Sequence, residues 1–137
     1  MPADWSLHPQ LAIDTAPIGD LPLCRVLLSR DAQFPWLVLV PRRPRIMEII
    51  DLDEAAQTQL MAEITKVSRV LREETRCDKL NVAALGNVVP QLHVHIIARR
   101  RSDPAWPRPV WGAVPPIPYE PQQMKTLVDT LRRKILV

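Results

Sequence analysis

Cysteine is scarce in this chain: Cys24 and Cys77 are the only two in 137 residues. Two isolated cysteines make no disulfide framework and have no zinc-finger spacing. Long apolar runs are missing as well. A stretch such as residues 36–40 falls far short of the ~20 residues that a spanning helix needs. The N-terminus, Met1-Pro2-Ala3-Asp4-Trp5, lacks a basic region followed by an apolar one, so no secretory signal is predicted. Aromatic residues are only 4% of the chain and form no stacking array. No basic helix is sustained either, which argues against a stable nucleic-acid complex. These absences predict a cytoplasmic protein without a membrane partner.

What is present fits an ordinary globular chain, 47% hydrophobic and 24% charged, long enough to bury its own core. One domain over residues 1–137 is predicted. The formal net charge of +3 is modest and gathers in clusters, Arg42-Arg43-Pro44-Arg45, Arg99-Arg100-Arg101 and Arg132-Arg133-Lys134. Two readings of the clusters stay open, a solvated surface or attraction for an anionic ligand such as a phosphate ester.

The first 22 residues are proline-rich and weakly periodic, with a helical turn possible over 7–13. Residues 23–29 and 36–40 read as strands joined by the turn material Asp31-Ala32-Gln33-Phe34-Pro35, a hairpin. Residues 46–50 suggest a short continuation or edge. Asp51-Leu52-Asp53-Glu54 is a helix start. Leu60, Ile64, Val67 and Leu71 then carry one apolar stripe through a helix over 54–75 that contains neither Gly nor Pro. Residues 79–85 read as a third strand ending in the turn pair Gly86-Asn87. Prolines crowd the stretch from Asp103 to Pro118 and exclude helix interior or central strand, leaving an irregular loop rich in Pro and Trp. A last helix begins at Pro121 with an apolar stripe of Met124, Leu127, Val128, Leu131 and Ile135. The fold class is α+β, an antiparallel β-sheet of about five strands with two main helices.

The rest of the chain is organised around Gly86-Asn87-Val88-Val89-Pro90-Gln91-Leu92-His93-Val94-His95-Ile96-Ile97-Ala98. Polar and apolar residues alternate over 91–97, the period of a half-buried strand. Gln91, His93 and His95 would share one face while Leu92, Val94 and Ile96 enter a core. Imidazoles two apart on a strand sit roughly 7 Å apart, within reach of one small ligand. Two of three histidines are placed here; His8, the third, reads as a surface residue.

At Gln91-Leu92-His93-Val94-His95-Ile96-Ile97 the sequence resembles the histidine triad (HIT) family, whose signature is His-φ-His-φ-His-φ-φ with φ apolar, here in a Gln-x-His-x-His variant. The resemblance extends over roughly residues 20–100, with residues 101–137 forming the C-terminal loop and helix. It implies a nucleotide hydrolase or nucleotidyl transferase acting at an α-phosphate of a phosphoanhydride or phosphoramidate, dinucleoside polyphosphates included. It also implies a homodimer with joined sheets, and neither metal nor cofactor. His93 matches the nucleophile, His95 the histidine on the phosphate and leaving-group side, and Gln91 the first triad position. Gly86 and Asn87 match the phosphate-contacting loop, and Asn81 is a weaker match of that kind. Val88 stands where a hydroxyl residue is frequent, and Pro44 and Arg45 where many relatives carry a histidine.

These residue types suit the chemistry. A neutral imidazole is a nucleophile near pH 7, and a nucleotidyl-histidine divides one displacement into two. The second imidazole donates a hydrogen bond to phosphate or leaving group, whereas glutamine carries no proton through a cycle. The backbone carbonyl of residue 91 is expected to hold His93 Nδ1–H. Trp106 and Trp111 either plug the C-terminal loop or wall the site with Arg108 near a phosphate. Asn87 and Asn81 have plain readings as turn and strand-end residues. Two rival functions remain: a nucleotide binder without turnover, or a metal protein using His93 and His95, which needs further ligands that the chain does not offer nearby.

Overall fold

The structure, a computed structural model, describes residues 4–137. His8 Nδ1 accepts Gln10 N–H at 3.0 Å and so caps a short helix, α1 (Pro9–Asp14), whose first position Pro9 fills. The chain then passes directly into β1 (Thr15–Asp20), where the sequence suggests irregular structure. Pro17 lacks an N–H, and the register slips between Pro17 and Gly19. Both are tolerated because β1 is an edge strand.

β2 (Cys24–Ser29) and β3 (Trp36–Pro41) form the expected hairpin. Residues 46–50 are not a strand. A single 3-10 turn, Ile49–Asp51, follows instead, since the Asp51 carboxylate accepts the N–H groups of Met47 and Glu48 and curls the segment. α2 (Glu54–Thr75) starts where Asp53 accepts Ala56 N–H and ends at Arg76 in the left-handed region. Its buried stripe includes one charge, Glu63, whose carboxylate accepts the N–H groups of Leu23 and Cys24 at 2.8 and 2.7 Å. β4 (Lys79–Ala83) stops two residues earlier than the alternation suggests, and β5 (Val94–Arg99) pairs antiparallel with it and with β3. α3 (Pro121–Ile135) closes the chain.

The sheet is antiparallel throughout, in the order β1-β2-β3-β5-β4, in agreement with the expected α+β class of about five strands. Strand alternation divides its residues. Leu37, Leu39, Val94 and Ile96 pack with Leu60, Val67 and Leu71 of α2 and Leu131 and Ile135 of α3. On the opposite face Val38 and Val40 lie with Leu11 of α1, and Ile97 lies with Phe34, Ala105 and Val110 of the proline-rich loop. β5 is therefore buried on both faces. The face turned from α2 and α3 carries His95.

Arg99, only 1% exposed, organises the loop after β5. It donates to Asp103 from Nε and Nη2 at 2.7 and 3.1 Å, and to Asn81 Oδ1 at 2.9 Å. Burial works against the Asp103 carboxylate, but Arg99 and the N–H groups of Arg100, Ala105 and Trp106 outweigh it and hold its pKa below the usual value. No helix among the described residues is long and apolar enough to cross a membrane.

Candidate active site

The strand ladder of β5 begins at Val94, not at Gln91, because Leu92 N–H is taken by the carbonyl of Ile46 at 2.9 Å. That displacement separates Gln91 from the histidines. Alternation places its side chain on their face, whereas the structure turns it toward the N-terminal segment. Its Oε1 accepts His8 N–H at 2.8 Å and its Nε2 donates to the Ser6 carbonyl at 2.9 Å. The Gln91 carbonyl keeps the expected place, 2.7 Å from Nδ1 of His93. A carbonyl only accepts, so the ring proton lies on Nδ1 and Nε2 presents its lone pair.

His95 has the opposite arrangement. Val38 of β3 lies across from His95 and Trp36 across from Ile97, so Trp36 is the diagonal neighbour of His95 on one face. The indole N–H of Trp36 donates to His95 Nδ1 at 3.0 Å. An indole nitrogen only donates, so Nδ1 is bare and the ring proton sits on Nε2. Burial, then the neighbouring His93, push the His95 pKa down to about 4, and the ring is neutral at pH 7. The two ring centroids are 4.9 Å apart. One imidazole thus offers a lone pair and the other an N–H.

Both rings border a cavity of about 840 Å³. The loop from Leu85 to Val89 forms one wall, with Gly86 at φ 77, a conformation that glycine adopts without strain. α1 supplies Gln10, Leu11 and Asp14, and Ser29, Arg30 and Asp31 also line the cavity. Trp111 forms a third wall, its ring 5.0 Å from that of His95 and 5.8 Å from that of Trp36. Asp31 holds this loop in place by accepting Ile117 N–H at 3.2 Å and bridging to Pro118. A largely apolar cavity with a few polar groups is the ordinary form of a small-molecule site.

Of the residues singled out in the sequence, His93, His95, Gly86, Asn87 and Trp111 meet at the cavity. Gln91, Asn81, Trp106 and Arg108 do not line it. Asn81 supports Arg99, and Trp106 lies against the same guanidinium at 5.6 Å. Arg108 is exposed on the loop. The basic clusters also stay away from the cavity, where Arg30 is the one cation among the described residues. Arg42 and Arg132 instead donate to backbone carbonyls of Leu21 and Ile18. Among the described residues no group of three His, Cys, Asp or Glu side chains is placed to hold a metal ion. Sequence reasoning missed Trp36, Ser29, Asp31 and α1 as parts of the site; the strand period of residues 36–40 carries the face of Trp36, but not its partner.

The HIT domain profile matches residues 10–102. A histidine triad protein of Bradyrhizobium japonicum is 62% identical, with 96% of this chain and 98% of that chain covered and a TM-score of 0.94. The chain belongs to the histidine triad family. Two further histidine triad proteins, from Marinobacter aquaeolei and Sinorhizobium meliloti, are 45% and 40% identical, with TM-scores of 0.93 and 0.92. Each comparison covers 96% of this chain, with 96% of the Marinobacter chain and 97% of the Sinorhizobium chain covered. No curated protein matches. This HIT protein directs the Gln91 side chain away from the cavity, toward His8 and Ser6.

Proposed function

We propose that this HIT protein is a nucleotide hydrolase or nucleotidyl transferase that attacks an α-phosphate through His93. The reading is supported chiefly by the carbonyl of Gln91, which fixes the Nδ1–H of His93 and leaves Nε2 as a lone pair beside the cavity. In the first step a bond forms between His93 Nε2 and phosphorus while the bond to the leaving group breaks, its electron pair departing with the leaving group. In the second step the oxygen of water, or of another acceptor, bonds to phosphorus as the P–N bond breaks. The electron pair returns to His93 Nε2, the acceptor's proton passes to solvent and the nucleotide is released. The Nε2–H of His95 donates to a phosphate oxygen as charge develops there. Asn87 and the backbone near Gly86 add contacts to the phosphate, and Trp111 gives a flat surface to the base. The proposal includes a homodimer in the cytoplasm, with one HIT-like domain per chain.

Trapping the intermediate tests this. Incubation with diadenosine polyphosphate labelled at the α-phosphates, followed by a quench in base, should leave acid-labile, base-stable label on the protein. His93→Ala should take up none. Label that persists in His93→Ala would remove the nucleophile assignment, and nucleotide binding without label or turnover would leave a binding protein instead.

A further inference from the structure

The hydrogen bond from Trp36 to His95 does more than orient a ring. Nδ1 of His95 accepts the indole N–H at 3.0 Å, so a proton added there would point at another proton. Doubly protonated His95 is the form able to hand a proton to a leaving group, and this contact opposes it. The alternative in which the ring turns over would set Cδ2–H against the indole N–H and forfeit that hydrogen bond. Trp36 is itself held where its β3 position faces Ile97. Among the described residues, the other titratable groups around the cavity are His93, Asp14, Arg30 and Asp31. Of these His93 bears on His95, and it disfavours the charged ring.

We propose that Trp36 is a positioning residue that holds His95 as a neutral Nε2–H donor, and so restricts the site to leaving groups that depart as anions. The substrate class is then the phosphoanhydrides. This rests on the reading of His93 as nucleophile. With a phosphoanhydride the bridging P–O bond breaks and the electron pair leaves on a phosphate oxygen, an anion stable without a proton. The His95 N–H stabilises that oxygen by a hydrogen bond and keeps its proton. With an alkyl phosphoramidate the P–N bond breaks and the nitrogen must gain a proton before or during departure. A neutral imidazole N–H does not supply it.

Two measurements on the full chain separate this inference from the functional reading beneath it. Nitrogen NMR of the imidazoles reports the tautomers without any substrate. His95 is expected to carry its proton on Nε2, and Trp36→Phe to lose that preference. Replacing Trp36 by 3-benzothienylalanine keeps the shape and removes only the N–H, so it gives the same answer if the phenylalanine variant folds poorly. A proton on Nδ1 in the parent, or an unchanged tautomer in both variants, overturns the role of Trp36.

The second measurement compares kcat/KM for diadenosine polyphosphate and for adenosine phosphoramidate of an alkyl amine. General acid catalysis contributes on the order of a hundredfold or more, so the anhydride should be preferred by about that factor. The Trp36 variants free Nδ1 and should narrow the ratio in part, since burial and His93 still disfavour the charged ring. Equal use of both substrates by the parent, or an equal loss on both in the variants, overturns the leaving-group inference. Inactivity on both, with the expected tautomers, removes the nucleophile reading and its leaving-group consequence, while the hold of Trp36 on His95 stands.

Discussion

Nδ1 of His93 lies 2.7 Å from the carbonyl oxygen of Gln91, while the Gln91 side chain is engaged elsewhere, with His8 and Ser6. The orientation of His93 thus belongs to the backbone and is independent of the side chain at position 91. Gln91→Ala is expected to keep single-turnover activity within about tenfold of the parent, equivalent to 1.4 kcal/mol. Gln91→His should remain active, and His93→Ala should abolish turnover. The glutamine hydrogen bonds themselves contribute about 0.5–1.5 kcal/mol each to holding the N-terminal segment. Amide exchange at His8 should therefore quicken in Gln91→Ala. A loss of activity as deep as that of His93→Ala would put the glutamine side chain in the chemistry.

His95 gives a pH dependence whose sign is fixed by its depressed pKa. Unfolded, the ring takes a proton near its ordinary 6.5; folded, it does so only near 4. Between these values the unfolded state binds more protons, so stability is present above pH 6.5 and declines as pH falls toward 4. The single group accounts for at most about 3 kcal/mol over that window. Denaturant unfolding at several pH values should show this decline, and His95→Asn should show less of it. NMR titration of the ring with a midpoint near 6.5 would contradict the burial argument.

Most of the sheet and α2 were legible because their periods are undisturbed: Leu92, Val94 and Ile96 enter the core as alternation requires. β1 was not, since Pro17 and the slipped register conceal a strand that survives only at an edge. The place of Gln91 depends on partners 83 and 85 positions away, beyond any local period. The contact of Trp36 with His95 requires the register of β3 against β5, which neither strand carries alone. Trp106 and Trp111 share a composition of neighbours. The tertiary holds on their loop, Arg99 with Asp103 and Asp31 with Ile117 and Pro118, accompany one lying against Arg99 and the other reaching the cavity.

The Arg99–Asp103 anchor has a measurable energy. The Arg99 and Asp103 side chains are 2% and 6% exposed, so removal of the carboxylate leaves an uncompensated buried cation. Breaking such a pair costs about 3–5 kcal/mol. Asp103→Ala should lose stability on that scale and free the N–H groups of Ala105 and Trp106. Trp111 sits eight residues further along the same loop, so turnover should fall with it. A loss below about 1 kcal/mol, the scale of an exposed pair, would show that the loop is held elsewhere.

The two edges of the sheet are unlike. β1 is blunted by Pro17 and its register slip, both of which resist pairing with another strand. Among the described residues β4 pairs on one side only, with β5, and it contains no proline. Val82 on β4 is 50% exposed and Leu85 just beyond it 48%, while Met47, 57% exposed, lies with Leu85 beside His93. An unpaired edge next to exposed apolar side chains is a surface that a second copy of the chain can cover. Sedimentation at micromolar concentration should give twice the 15.6 kDa of one chain. The double variant Val82→Glu with Leu85→Glu places two charges on that surface and should sediment as a folded monomer, with its circular dichroism retained. A parent that is monomeric at that concentration would count against the dimer. A double variant that stays dimeric and folded would locate the contact on another face.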